Sequence, residues 1–168
     1  MSADDGREFY AEFSDFNHEQ CDDWIKENVL SLTQWINKPD TQPFVEKTDD
    51  LSLCFGDSEF VKETLLVWLS DYDSIEIWAD CLAWDWVLFC ELFGGALSLP
   101  KQIFYMPFDL VMLFKCKGLD ADTPRLEFAK KHGAIFKEDQ LHNALFDARL
   151  AKVCYGFLDR TQDQIIQS

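Results

Sequence analysis

The chain has 168 residues, the length of one domain, and its 48% hydrophobic content excludes an intrinsically disordered protein. It carries 31 acidic against 15 basic residues, a net charge of -16, which argues against holding nucleic acid through a broad basic surface. Without an apolar run of spanning length or a charged-then-apolar leader, the sequence predicts a soluble cytoplasmic protein with one domain over residues 1–168, its tail at 160–168.

The first predicted element is a strand over residues 7–13, entered from a turn at Asp5-Gly6. An Asp-Gly pair before alternating aromatic residues is typical of a β-hairpin, which needs a strand on each side of the turn. Only four residues precede Asp5, too few for a partner. The sequence therefore predicts that the strand over residues 7–13 has lost its neighbour.

Further elements follow from apolar periodicity and from capping residues. A helix broken once is predicted over 17–35, and a loop over 38–43. The remaining elements are a helix opened by Gly56-Asp57-Ser58, a strand at 74–80, a helix at 84–93 closed by Gly94-Gly95, a strand at 103–106, and helices at 108–116, 125–132 and 143–157. The helix at 125–132 is expected to place Pro124 at its first position after a Thr123 cap. This order predicts an α/β fold, a sheet covered by helices.

Two polar clusters lie where α/β proteins place ligand sites, at strand ends and helix starts. In the first, Asp80 and Asp85 follow the strand predicted at 74–80, and Asp85 lies near the start of the next helix. The alternative interpretation is that both are ordinary acids at a helix start. Spacing alone leaves the two interpretations open.

The second cluster surrounds the start of the last long helix. His142 precedes that helix, and Asp147 lies on it. Its helix neighbours Ala144, Leu145, Ala148 and Ala151 are expected to face the core. An acid beside a core-facing surface must be paired, hydrogen-bonded or bound to a metal, because a lone buried charge is very costly. A surface acid with a histidine in the capping region is the alternative.

Together the clusters resemble motifs two and three of the DEDDh 3′–5′ exonucleases, which include ribonuclease T and oligoribonuclease. Motif two is a polar residue, three others, an aromatic residue and an aspartate; Asp80, Trp84 and Asp85 fit, with aspartate replacing the usual asparagine. Motif three, a histidine followed after four residues by an aspartate, fits His142 and Asp147. The residues that flank these motifs are similar to those of a small bacterial and phage exoribonuclease-like branch.

The resemblance implies a ribonuclease-H-like mixed sheet flanked by helices, N-terminally truncated, and hydrolysis at the 3′ ends of single-stranded RNA or DNA. It implies Asp85 and Asp147 as ligands of Mg²⁺ or Mn²⁺, two ions in an intact site, and His142 as the general base. Trp84 and Asn143 are the implied substrate-binding residues. Closeness to the exoribonuclease-like branch favours RNA, and dimers among relatives make a homodimer the assembly to test.

The family's first motif, Asp-x-Glu on the first strand, has no counterpart ahead of the predicted hairpin turn. One Asp-x-Glu occurs in the chain, from Asp57 to Glu59, but it opens a helix, so Asp57 or Ser58 as a helix cap is the better interpretation. Glu8 and Glu12 belong to the strand after the turn and are poor substitutes. Half of the expected metal ligands are therefore missing.

This departure carries three expectations. A chain without the first motif should bind divalent ions weakly and be inactive, and its exposed sheet edge should favour aggregation. A start codon assigned too late would explain the absence, so we expect the DNA upstream of Met1 to encode, in frame, a strand ending in Asp-x-Glu. Two other classes of function remain: a degenerate nuclease fold kept as a non-catalytic interaction module, and an acidic mimic of nucleic acid.

Overall fold

A computed structural model describes the backbone of residues 1–165 and the side chains of residues 1–138 and 140–159. The chain divides into two compact units. Unit 1 comprises Met1–Asp73 and Gln140–Asp147, and unit 2 comprises Ser74–Asp139 and the helix residues from Ala148 onward. Both units combine helices with short strands, which confirms the α/β prediction at the level of fold class.

Unit 1 contains a three-stranded mixed sheet. Strands β1 (Glu8–Phe13), β2 (Phe44–Lys47) and β3 (Leu51–Gly56) lie in the order β1-β3-β2, with β1 parallel and β2 antiparallel to β3. Strands β2 and β3 were not predicted from the sequence. Strand β2 has four mostly exposed residues, and both faces of β3 are partly buried, so neither shows a clear apolar–polar alternation.

The prediction that the strand over residues 7–13 has no neighbour is wrong. Strand β1 pairs along its whole length with β3. The residues before the turn also pair, because the Phe9 N–H donates to the Met1 carbonyl at 3.0 Å and the Ala3 N–H donates to the Arg7 carbonyl at 2.8 Å. Three residues are enough to close this short hairpin, and the parallel partner comes from a strand that the sequence pattern did not indicate.

The helices of unit 1 are shorter or longer pieces that begin after capping residues, and the cap of one of them was predicted. The segment predicted as one broken helix forms three short pieces: a 3₁₀ turn at His18–Gln20, α1 (Asp23–Asn28) and a 3₁₀ turn at Leu30–Leu32. Helix α2 (Ser58–Leu69) follows β3, and the Asp57 carboxylate accepts a hydrogen bond from the Phe60 N–H at 2.8 Å. The interpretation of Asp57 as a helix cap is confirmed.

Unit 2 contains two short parallel strands, β4 (Trp78–Ala79) and β5 (Phe108–Asp109), together with an isolated bridge between Ile75 and Ile103. The strand predicted at 74–80 is therefore much shorter, and the one predicted at 103–106 is wrong. Pro107, which has no N–H to donate, separates the single bridge at Ile103 from β5.

Helices make up most of unit 2. The Asp109 side chain caps α4, and Pro124 occupies the N-cap position of α5 rather than the predicted first helical position. Within the described residues no helix has the length and apolar character needed to cross a bilayer. The four helices are α3 (Leu82–Leu92), α4 (Leu110–Cys116), α5 (Arg125–Lys131) and α6 (Ala144–Ile165), the first turn of α6 belonging to unit 1.

Candidate functional site

The start of α6 brings His142 and Asp147 together. Asn143 caps the helix, because its Oδ1 accepts hydrogen bonds from the Leu145 N–H at 3.1 Å and the Phe146 N–H at 3.2 Å. His142, one residue earlier, has a left-handed backbone with φ of 72°, and its N–H donates to the Asp147 Oδ1 at 3.4 Å. The cap and the Asp147 carboxylate thus hold a conformation that a non-glycine residue disfavours.

Asp147 lies on the exposed side of α6 rather than beside the core. The prediction that Ala144 faces the core is wrong, because Ala144 is exposed, and Ala148 and Ala151 are only half-buried. The prediction for Leu145 is confirmed, because its side chain is buried. The apolar face of the helix is formed by larger residues: Leu145, Phe146, Leu150, Cys154 and Leu158. The exposed Asp147 carboxylate is accessible to a cation from solvent.

The imidazole of His142 contacts Trp24 of α1. The ring centroids are 5.1 Å apart and the planes meet edge-on at 75°. Trp24 nevertheless leaves 54% of its surface exposed, which is unusual for so large an apolar side chain. Trp24 lies in the segment predicted as one broken helix, and nothing in the local sequence connects it with a histidine 118 positions later.

His142 also lines a cavity of about 200 Å³ within unit 1. Strand β1 forms one wall through Tyr10 and Glu12, and His142 and Asn143 form another. Apolar side chains from the segment between positions 29 and 36 complete the lining. The cavity therefore combines an apolar surface with a few polar groups, the usual composition of a small-ligand site.

Glu12 is the buried carboxylate of this cavity, with only 3% of its surface exposed. One oxygen accepts hydrogen bonds from the Tyr10 hydroxyl at 2.8 Å and the Gln34 N–H at 2.6 Å. The other oxygen accepts from the N–H groups of Trp35 at 2.9 Å and Ile36 at 3.0 Å. These four donors satisfy the charge without a cation, in agreement with the interpretation of Glu12 as a poor substitute for a metal ligand.

The burial and hydrogen bonding around Glu12 also affect the pKa of the Tyr10 hydroxyl. Burial, together with its hydrogen bond to the Glu12 carboxylate, raises the pKa of Tyr10 far above its ordinary value. The hydroxyl therefore remains protonated and donates to Glu12 throughout the physiological pH range. Its oxygen also accepts a long hydrogen bond, 3.5 Å, from the Asn143 side-chain amide.

In unit 2, Asp80 is paired with an arginine. Its Oδ1 accepts hydrogen bonds from Arg125 Nη2 at 2.8 Å and Nε at 3.0 Å. The guanidinium lies 4.1 Å above the centre of the Phe114 ring, so it combines an ion pair with a cation–π contact. Asp80 therefore has a structural partner that the sequence pattern did not indicate, 45 residues further along the chain.

Asp85 and Trp84 lie in the first turn of α3, which begins after Cys81 in a left-handed conformation. The Asp85 side chain is exposed, yet neighbouring atoms limit its hydration, and this desolvation with repulsion from Asp80 raises the pKa of the carboxyl. The described residues provide it with no ion-pair partner. Trp84 has 78% of its surface exposed, whereas Phe146 is buried, with only 4% of its surface exposed.

Asp85→Asn is expected to raise the melting temperature of the metal-free protein at neutral pH. Because the pKa of Asp85 is raised in the folded state, its ionised form opposes folding above that pKa, and the penalty disappears as the pH falls towards the usual carboxyl range. Thermal unfolding in EDTA at several pH values measures this. Glu91→Gln, an exposed charge change in the same helix, is the control; an Asp85 effect that is absent at neutral pH or grows at low pH contradicts the prediction.

The metal-binding side chains of the described residues can be compared with the ligands that a divalent ion requires. Within the described residues no group of three histidine, cysteine, aspartate or glutamate side chains is placed to hold a metal. Exposed carboxylates such as Asp85 and Asp147 are nevertheless the hard oxygen ligands that Mg²⁺ prefers, and Mg²⁺ is commonly held by one or two carboxylates together with water and substrate phosphate. Each of these two exposed carboxylates is therefore chemically suited to contribute one ligand to such an ion.

The fold and these residues define a mixed α/β protein with two small sheets and six α-helices in its described part. The chain is a distant homologue of a 3′–5′ exoribonuclease of Mycobacterium tuberculosis, found in strains CDC 1551 / Oshkosh and ATCC 25618 / H37Rv. Identity to each is 28% over 147 residues, covering 88% of this chain and 73% of the relative. No protein-family model matches the chain.

Proposed function

We propose that the protein is a metal-dependent 3′–5′ exoribonuclease of the DEDDh type, built on a ribonuclease-H-like fold. The observation that carries this proposal is the similarity to the mycobacterial 3′–5′ exoribonucleases, which extends over 147 residues and includes both polar clusters. The hydrogen bond from the His142 backbone N–H to the Asp147 carboxylate supports it, because the two residues of the third motif meet at one exposed helix start.

The proposed roles follow the two motifs. Asp85 and Asp147 are the metal ligands, and His142 takes the proton from the attacking water. When bound, Mg²⁺ or Mn²⁺ neutralises charge that develops at the scissile phosphate. Desolvation, and after it repulsion from Asp80, raises the pKa of Asp85, and this supports its assignment because a carboxylate in such surroundings gains more from binding a cation than an already paired one.

The proposed substrate is the 3′ end of single-stranded RNA. A net charge of -16 gives the phosphate backbone no general attraction, so binding must come from local cations and from stacking of bases on aromatic rings. Trp84 and Trp24 both offer exposed aromatic surface. Asn143 caps α6, and its contact with substrate stays a prediction.

Three further properties also stay predictions: that the chain is a single domain, that the protein is cytoplasmic and that it forms a homodimer.

Because the chain is expected to bind metal weakly without the family's Asp-x-Glu motif, the test compares the 168-residue chain with the same chain extended by any in-frame upstream codons. The substrate is RNA labelled at its 5′ end. We expect Mn²⁺ or Mg²⁺ to produce a ladder that shortens from the 3′ end with release of mononucleotides, and EDTA to stop the reaction. A 3′-phosphorylated RNA and a single-stranded DNA of the same sequence define end chemistry and sugar preference. Internal cuts, or cleavage that persists in EDTA, would overturn the proposal.

A non-catalytic interaction module is the second candidate. The observation that favours it is that the described residues supply no cluster of three metal-binding side chains. The same assay separates the two functions, because a module of this kind leaves the RNA intact at every metal concentration. Binding of the uncleaved RNA, followed by fluorescence anisotropy, then decides whether nucleic acid is the partner.

A further inference from the structure

We infer that Tyr10 is a positioning residue for His142, acting through Asn143 and anchored by the buried Glu12 carboxylate. The inference rests on the proposed function for the role of His142 in hydrolysis. It concerns residues of strand β1 that neither exonuclease motif contains. All of the contacts that carry it lie within unit 1.

The anchor is the four-donor arrangement around Glu12. Three consecutive backbone N–H groups, from Gln34 to Ile36, converge on the carboxylate and fix its position against the segment that follows α1. The Tyr10 hydroxyl supplies the fourth donor at 2.8 Å. Because this carboxylate is buried and fully hydrogen-bonded, it defines both the place and the orientation of the Tyr10 hydroxyl.

The second link runs from Tyr10 to Asn143. A hydroxyl has one proton and two lone pairs, so a Tyr10 hydroxyl that donates to Glu12 presents its oxygen as an acceptor. The Asn143 Nδ2 lies 3.5 Å from that oxygen, while its Oδ1 accepts from two N–H groups of the first turn of α6. Both ends of the amide are engaged, which orients the side chain between β1 and the helix.

The last link is covalent. Asn143 directly follows His142, whose backbone is left-handed and held further by its contact with Asp147. A change in the position of Asn143 therefore moves the imidazole of His142 relative to Asp147. Misplacement of a catalytic group by about 1 Å costs on the order of 10²-fold in rate, so even a weak hydrogen bond at this place is expected to influence turnover.

The test is a double-mutant cycle of Tyr10→Phe with His142→Ala. Tyr10→Phe removes one hydroxyl and leaves Glu12 its three backbone donors, so the fold persists. We expect kcat to fall about tenfold with KM within about twofold of the parent, and no further fall when the change is made in the His142→Ala protein. Tyr72→Phe, whose hydroxyl contacts Asp5 instead, is the matched control.

Each outcome has a definite meaning. Equal losses in both backgrounds would show a general structural role, and an unchanged kcat would remove Tyr10 from the mechanism; either overturns the inference. Full activity in the His142→Ala protein would instead contradict the proposed function. Imidazole NMR signals test the geometry without activity: Tyr10→Phe should shift or broaden those of His142, whereas Tyr72→Phe should not, and unchanged His142 signals in Tyr10→Phe overturn the inference.

Discussion

Asp147→Asn is expected to lower the kcat of RNA hydrolysis by about 10³-fold or more, because the amide has lost the negative charge that holds a divalent ion at the scissile phosphate. The loss should be largest at limiting metal and only partly recovered at saturating Mn²⁺, since a neutral oxygen is a weaker ligand than a carboxylate. Single-turnover cleavage of 5′-labelled RNA across a metal titration measures the effect.

Asp159→Asn provides the matched control for that variant. Asp159 is exposed on the same helix, so the substitution makes the same change of net charge without touching the helix start. It should leave kcat within about twofold of the parent protein. A comparable loss in both variants would mean that charge on α6, rather than a ligand at position 147, controls activity, and a fully active Asp147→Asn protein would exclude the metal role.

Glu12→Ala should destabilise the protein by roughly 3–5 kcal/mol, the range for removing one member of a buried, charge-assisted hydrogen-bonded group. Truncation leaves three backbone N–H groups and the Tyr10 hydroxyl without their acceptor and also creates a void beside β1. Glu12→Gln keeps the shape and one acceptor oxygen, so it should lose less than the alanine variant. Urea unfolding followed by circular dichroism gives the free energy of unfolding.

The control for this second prediction is Glu46→Ala. Glu46 lies on the neighbouring strand β2 but is exposed, and such surface substitutions usually stay within about 0.5 kcal/mol of the parent. If Glu12→Ala and Glu46→Ala unfold at the same urea concentration with the same slope, the Glu12 hydrogen bonds are not a source of stability. The positioning path through Tyr10 would then lose its anchor.

The amino-acid sequence was sufficient where structure depends on neighbouring residues. Helix α2 begins at Asp57 because a carboxylate three positions before an N–H can cap it. His142 and Asp147 meet for the same reason, since five residues at a helix start bring the backbone of one within reach of the side chain of the other. The α/β class also followed from the order of apolar patterns, although the limits of several strands did not.

Tertiary structure alone decided the long-range partners. Glu12 and Tyr10 share one face of β1, but the other face also carries buried Phe9, so alternation could not reveal a buried acid. The three backbone donors of Glu12 lie 22 to 24 residues away, and the arginine that binds Asp80 lies 45 away. Such pairs form only when the whole chain closes its loops around a core, whereas a cap or a turn needs only the residues beside it.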